Sequence, residues 1–339
     1  MQSTSYTIQN NNTSNRIDYL DLVKGFAILW VIWWHVCHPA FVHPYYHVPI
    51  FFFVSGIFFK SYPLKKFLIK KTNQILIPFI FFYICSFVYR IIVYLWDYRT
   101  IIGFRWNCIF DVFKSGINGD YLYVNVPLWF LICLFNMNLI YYLLSKTNNV
   151  IKCIYIFIVL LLSNYILQIP THFFLNNALV WTAYLALGNM FGLKLIELLK
   201  KHTKAIKLIL ICLIIHLSIF FTEDYVTNIM FQGLMLHIKT LSFVIGIIAL
   251  FSFLENIKSL SVLRFFGNNS LTTLGFHELV LIFCKRIVMM LFGCINLWGG
   301  FACFVTTAII LYFTIPLANK WFPKIIAKKP LITYKQQTL

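Results

Sequence analysis

Long apolar runs alternate with short polar or basic connections over nearly the whole chain. Most runs extend for about 17 to 25 residues, and an α-helix of that length crosses a hydrocarbon core of about 30 Å. The runs are residues 22–41, 48–59, 75–96, 126–145, 150–168, 176–193, 206–221, 232–254, 270–292 and 297–319. The pattern predicts an all-α fold, a polytopic membrane bundle of about ten transmembrane helices.

The apolar runs leave no stretch for a sizeable soluble domain. They predict one transmembrane domain over residues 16–320, with a flexible polar tail at 1–15 and a basic cytoplasmic tail at 321–339. Chain ends that are not tied down by packing are commonly poorly ordered, so we expect both tails to be only partly ordered.

Composition supports the membrane interpretation. Of all residues, 60% are hydrophobic and only 11% are charged, against roughly 25% charged in a typical soluble domain. The nine cysteines are scattered through the apolar runs without a Cys-x-x-Cys pair, which indicates small buried residues rather than a disulfide or zinc framework.

Loop charge predicts the orientation, because Lys and Arg accumulate on the cytoplasmic side. With ten spans, nearly all basic loop residues fall in one set of alternate loops, and the other set holds only Arg99, Arg105 and Lys114. Both termini are therefore predicted to be cytoplasmic in a multi-pass protein of the cell (inner) membrane. The net charge of +18 is then explained by membrane topology, and no nucleic-acid partner is expected.

The first span, "KGFAILWVIWWHVCHP", contains two ionisable residues, Lys24 and His35, eleven positions apart. Eleven helical steps return to nearly the same face after about 16.5 Å of rise. Lys24 is expected at the cytoplasmic edge and His35 beyond the bilayer midplane, where polar groups usually face a bundle interior or a wet cavity. A desolvated, neutral imidazole can act as a general base. The alternative is that His35 only hydrogen-bonds a neighbouring backbone carbonyl.

Three more histidines, His38, His43 and His47, follow at or beyond the outer end of this span. Together with His35 they suggest a metal site. Their spacing matches no standard ligand set and the segment lacks carboxylates, so no metal is predicted.

Five motifs, in order over residues 16 to about 320, resemble the acyltransferase-3 family of integral membrane acyltransferases. The run "RIDYLDLVKGFAILWVIWWH" is similar to the family's opening, in which a basic residue and a histidine have ten residues between them. The other four are "VPIFFFVSGIFF", a short second span ending in Ser-Gly, "KKTNQILIPF", "PLWFLICL" and "FFGNNSLTTLGFHELV". Within the family the chain looks most like the sugar O-acetyltransferase branch, of the fucose O-acetylase type.

The resemblance implies transfer of an acetyl or other acyl group from acyl-CoA to a sugar hydroxyl of a cell-surface or lipid-linked glycan. It implies a catalytic role for His35 and for His277, which lies in the late motif. The chemistry is expected to lie entirely in the membrane bundle, with acetyl-CoA as donor substrate and membrane lipid as its surroundings. Nothing in the chain indicates an oligomeric state.

Basic residues near the cytoplasmic edge are the expected ligands of the donor's phosphates, namely Lys24, Lys70 and Lys71. The chain departs from the family pattern at two positions, with lysine rather than arginine at 24 and Gln74 where a second basic residue often stands. The second departure favours Lys70 and Lys71 as phosphate ligands. An ordinary positive-inside loop that binds nothing is the alternative.

Glu278 is the only carboxylate well inside a predicted span. It is a candidate for binding the acceptor or relaying a proton beside His277. The alternative is a structural ion pair, for which three partners are available: Lys285, Arg286 and Lys239.

Two other residues are candidates for substrate binding. Ser55 is either an acyl-carrying or substrate-binding hydroxyl or part of a Ser-Gly pair that closes a helix end. Trp129 either packs at the membrane interface or forms an aromatic wall for a sugar ring. Arg90, near the outer end of the third span, is expected to extend outward.

Two other classes of protein remain open. In a secondary transporter or glycan flippase, His35, Glu278 and Arg90 would serve as coupling or substrate groups. In a non-catalytic partner of polymer export, these polar residues would have no chemical role.

Overall fold

The computed structural model describes residues 17–36, 46–114, 122–293 and 295–333. The tail predicted at 1–15 and the last residues, 334–339, lie outside this part of the chain, as do His38 and His43. The α-helices are α1 (Asp18–Val36), α2 (His47–Ile57), α3 (Leu64–Lys71), α4 (Ile77–Tyr98), α5 (Asp111–Lys114), α6 (Trp129–Leu144), α7 (Asn149–Leu161), α8 (Ser163–Ile166), α9 (Leu175–Leu199), α10 (His202–Thr222), α11 (Ile229–Phe253), α12 (Ser261–Asn268), α13 (Ser270–Phe292) and α14 (Leu297–Trp321). No β-strand occurs in the described residues.

Each predicted span is at least partly helical, and seven segments of the described chain are long and apolar enough to cross a membrane. The seven are Asp18–Val36, Leu64–Tyr98, Val126–Leu144, His172–Leu199, His202–Thr222, Ile229–Phe253 and Leu297–Trp321. Helices α2 and α7 are apolar but shorter, and α13 carries three charged side chains within its length. The all-helical membrane fold is confirmed, whereas the number of ten spans and the side of the termini stay predictions.

The lysine-rich segment before the third span is helical rather than a loop. Helix α3 begins directly after Pro63 and continues through the π-helical turn Thr72–Leu76 into α4. Proline has no N–H to donate and is well tolerated at a helix start. The fully buried Phe67 then anchors α3 to the core. The lysines of α3 are therefore held by a rigid element.

Glycines bring α1 against α12. A Cβ added at Gly25 would overlap the carbonyl of Leu263, and one added at Gly267 would overlap the carbonyl of Asp21. The two backbones approach closely because neither glycine has a side chain. This crossing fixes the first half of α1, which carries Lys24.

Helix α2 packs in the same way against α9. A Cβ at Gly56 would overlap the carbonyl of Leu185, and one at Gly188 would overlap the carbonyl of Phe53. Gly56 also lies one residue before the end of α2, where its carbonyl accepts a hydrogen bond from the Phe59 N–H at 3.0 Å. The Ser-Gly pair therefore both ends the helix and permits its close packing.

The described part of the segment after α14 packs against the bundle. The Leu331 and Ile332 N–H groups each donate to Asn73 Oδ1 at 2.8 Å. Asn73 Nδ2 in turn donates to the Ile332 carbonyl at 2.9 Å, and Ile326 is buried. Sequence composition did not indicate this docking because it depends on one buried amide in the π-helical turn.

Candidate active site

One cavity of about 580 Å³ lies among α1, α2, α3, α6 and the start of α13. Six of the eight predicted site residues line it: Lys24, His35, Ser55, Lys70, Lys71 and Trp129. Helix α1 contributes residues spaced by four, three and four positions, which form one helical face: Lys24, Ile28, Val31 and His35. Lys24 and His35 therefore share a wall of the cavity, about 16.5 Å apart along the helix axis.

The end of the cavity near Lys24 is basic. Lys60, Lys70 and Lys71 line it together with Lys24. The Lys24 ammonium also lies 2.7 Å from the Asp21 carboxylate, which offsets part of the positive charge. We call the part of the cavity lined by Lys24, Lys60, Lys70 and Lys71 the basic end.

Tyr62 contacts two lysines of α3, of which Lys70 belongs to the basic end. Its hydroxyl accepts a hydrogen bond from Lys70 Nζ at 3.1 Å, and Lys66 Nζ lies 5.3 Å from the centre of its ring. The hydrogen bond from Lys70 lowers the pKa of the Tyr62 hydroxyl. These contacts order two of the long lysine side chains around one aromatic ring.

The opposite end is formed by His35, His47 and Trp129 with apolar neighbours such as Phe51 and Phe130. We call it the histidine end. A mostly apolar wall with a few polar groups is the usual composition of a small-molecule site. Ser55 lies on α2 two turns beyond His47, between the two ends.

His277 lies beside His35. Their ring centroids are 5.5 Å apart, and His277 is fully buried outside the cavity lining. Its Nδ1 lies 2.9 Å from the Leu274 carbonyl, and since a carbonyl only accepts, Nδ1 carries the hydrogen. The neutral ring then has its lone pair on Nε2, which finds no hydrogen-bond partner in the described part of the chain.

Glu278 also lies outside the cavity lining. Its Oε1 is 3.7 Å from Nη2 of Arg90, and Arg90 Nε donates to the Val124 carbonyl at 3.2 Å. Arg90 is thus held by two partners, in contrast to the expectation that it extends outward. The sequence did not indicate this pair because the two residues lie on different helices, α4 and α13.

The three partners that the sequence offered to Glu278 are engaged elsewhere. Arg286 forms a two-pronged ion pair with Asp97, with Nη1 at 2.7 Å from Oδ1. Lys239 contacts the Glu223 carboxylate. Lys285 Nζ donates to the backbone carbonyl of His35 at 2.6 Å. This last bond ties α13 to the end of α1.

A buried asparagine that the sequence reasoning missed connects two helices to its own segment of the chain. Asn125 Nδ2 donates to Ser86 Oγ at 2.8 Å and to the Gly275 carbonyl at 3.2 Å. It thereby joins α4 and α13 to the turn that precedes Trp129. Its only sequence signal is a polar residue directly before an apolar, proline-bearing run.

His47 lines the cavity, although the sequence reasoning did not select it as a substrate-binding residue. Its position at the start of an apolar run suggested the membrane edge, but the packing of α2 places it on the cavity wall.

Within the described residues no three His, Cys, Asp or Glu side chains are grouped closely enough to hold a metal ion.

The fold and the cavity define a class of protein. It is a helical membrane protein with an internal cavity that extends from the basic end to the histidine end. The family model of the acyltransferase-3 proteins, an acyltransferase domain, matches residues 17–327. The chain belongs to this family and is a membrane acyltransferase. Comparisons with curated proteins and with solved structures found no match.

Proposed function

We propose that the protein transfers an acyl group, most simply acetyl, from acyl-CoA to a sugar hydroxyl of a cell-surface or lipid-linked glycan. The observation that carries this proposal is that one cavity is lined both by the lysines of the basic end and by His35. An acyl-CoA has the same polarity, with anionic phosphates on its nucleotide and a thioester at the end of a long, uncharged arm. The family match supports the acyl transfer.

The donor binds with its phosphates at the basic end, where Lys24, Lys70 and Lys71 supply positive charge. Its pantetheine arm follows the α1 wall past Ser55, which can hydrogen-bond the arm. The thioester then reaches His35. Trp129 offers an aromatic face to the acceptor sugar at this end.

In the proposed reaction, His35 removes the proton from the acceptor hydroxyl as its oxygen attacks the thioester carbonyl carbon. The tetrahedral intermediate collapses with cleavage of the C–S bond. His35 returns the proton to the departing thiolate, so that the products are the ester and free CoA. The buried ring of His277 lies beside His35 and helps to set its orientation.

The proposed location is the cell (inner) membrane, with ten spans and both termini in the cytoplasm. This orientation places the basic end on the side where acyl-CoA is made. The clustering of loop lysines supports it. The histidine end then faces the outer half of the membrane, toward the glycan.

Replacement of His35 tests the proposal. Membranes that contain the protein are incubated with labelled acetyl-CoA, and label in glycan is measured for the wild type and for His35→Ala. We expect a loss of about 10²- to 10⁴-fold in transfer, the usual contribution of a general base, with acetyl-CoA binding retained. His202→Ala, at an exposed position on α10, is the matched control.

Two results would contradict the proposal. Transfer that persists in His35→Ala removes this residue from the mechanism. A wild-type protein that binds no acyl-CoA favours the transporter or flippase class instead.

A further inference from the structure

His47 is a buried imidazole that has one ring nitrogen without a hydrogen-bond partner in the described part of the chain. It is only 5% exposed and lies on the wall at the histidine end. Its Nδ1 is buried without a hydrogen-bond partner among the residues that the structure describes. Buried polar atoms are nearly always paired in folded proteins, so an unpaired one in a side chain that lines a cavity favours a partner that the described residues do not supply.

The ring of His47 is held in place by apolar packing. Trp30 of α1 lies against it, with ring centroids 6.2 Å apart. Trp30 is in turn packed between Phe26 at 5.4 Å and Phe243 at 5.5 Å. These aromatic contacts pack the ring without engaging Nδ1.

A second histidine of equal burial shows the contrast. His237 on α11 is also 5% exposed, but its Nδ1 lies 3.0 Å from the Tyr184 hydroxyl. It lies outside the cavity lining. His237 therefore has at Nδ1 the hydrogen bond expected of a structural histidine, whereas Nδ1 of His47 has none among the described residues.

We propose that His47 binds the acceptor, with Nδ1 hydrogen-bonded to a hydroxyl next to the one that His35 deprotonates. This assignment rests on the proposed function. His47 lies at the end of the cavity opposite the four lysines, where Trp129 offers an aromatic face. The aromatic ring of Trp129, together with the imidazoles of His35 and His47, suits a substrate with adjacent hydroxyls, such as a pyranose, better than a simple alcohol.

The test uses the full-length protein in membranes, with acetyl-CoA as donor and a panel of methyl hexopyranosides as acceptors. The sugar that accepts label best is compared with its monodeoxy analogues. We expect His47→Phe to raise KM for the sugar about tenfold, the factor that corresponds to one neutral hydrogen bond. KM for acetyl-CoA should not change.

One monodeoxy analogue should identify the hydroxyl that His47 binds. Its KM should be raised for the wild type but not raised further for His47→Phe, because both changes remove the same hydrogen bond. His47→Asn, whose amide reaches nearly the same position as Nδ1, should restore most of the affinity and keeps the test valid if the Phe variant is unstable. His237→Phe is the control for loss of a buried ring, and we expect lower stability with both KM values unchanged.

Several outcomes would overturn the assignment. If His47→Phe raises KM for acetyl-CoA instead, the residue binds the donor. If neither KM changes, or if every deoxy analogue adds its full effect to that of the variant, His47 makes no contact with the acceptor. These results leave His35-dependent transfer intact, whereas a wild type that labels no sugar contradicts the proposed function as well.

Discussion

At the scale of single residues, the bond from Lys285 to the carbonyl of His35 is the contact that most directly supports the proposed base. The Lys285 ammonium of α13 donates to this carbonyl at 2.6 Å, near the end of the described part of α1. The bond ties the backbone of α1 at His35, from which the imidazole extends, to α13. Lys285 is therefore a positioning residue in the proposed reaction.

Lys285→Met should lower kcat without weakening the binding of acetyl-CoA. A hydrogen bond from a charged donor contributes about 1.5–3 kcal/mol, which corresponds to roughly a tenfold to hundredfold decrease in rate. Steady-state transfer assays and acetyl-CoA binding measure the two effects separately. Lys285→Arg should recover part of the rate, and Lys207→Met, at an exposed position on α10, is the control. Equal loss of kcat and of donor binding would indicate a general structural defect instead.

Residue chemistry was only partly predictable. The spacing of Lys24 and His35 placed both on one face of a helix, because helical periodicity is a local property. The Arg90–Glu278 pair was not predictable in the same way, since it requires α4 and α13 to be neighbours. His47 was missed for a related reason, because a histidine at the start of an apolar run has the same pattern whether it faces water, lipid or a cavity.

At the scale of secondary structure, the crossing of α1 and α12 sets the position of the basic end. Gly25 follows Lys24 directly and permits the close approach of the Leu263 backbone. Apolar periodicity predicted α1 correctly. It did not reveal that a small residue was needed on this face, because the partner helix was unknown.

Gly25→Ala should lower the melting temperature of the detergent-solubilised protein. The added methyl group overlaps a backbone carbonyl that cannot move alone, and such overpacking destabilises by about 1–3 kcal/mol. Donor binding should weaken as well, because the displaced turn carries Lys24. The control is Gly246→Ala on α11, where the nearest atom to the new Cβ is the Cys212 Cβ at 3.3 Å. A melting temperature equal to that of the wild type would contradict the close crossing.

At the scale of the whole molecule, one continuous helical segment connects the two predicted sides of the membrane. Residues Leu64–Tyr98 form 35 helical residues, roughly 50 Å at 1.5 Å per residue. Lys65 lies near one end and Arg99 follows the other. The proposed orientation therefore places Lys65 in the cytoplasm and Arg99 outside.

Cysteine labelling can test this orientation. In a background without the natural cysteines, Arg99→Cys should react with a membrane-impermeant maleimide in intact cells, because the residue is exposed. Lys65→Cys, also exposed, should react only after permeabilisation. The reverse pattern would place the basic end outside and would separate it from cytosolic acyl-CoA.

The order of the apolar runs was enough to establish an all-helical membrane protein with a lysine and a histidine on one face of its first helix. These features follow from local hydrophobicity and helical periodicity, which any window of the chain carries. The shared cavity, the place of His277 beside His35, the Arg90–Glu278 pair and the docking of Ile332 on Asn73 depend on which helices become neighbours. Neighbours distant in the chain are selected by shape and by the pairing of buried polar groups, and neither can be read from one segment alone.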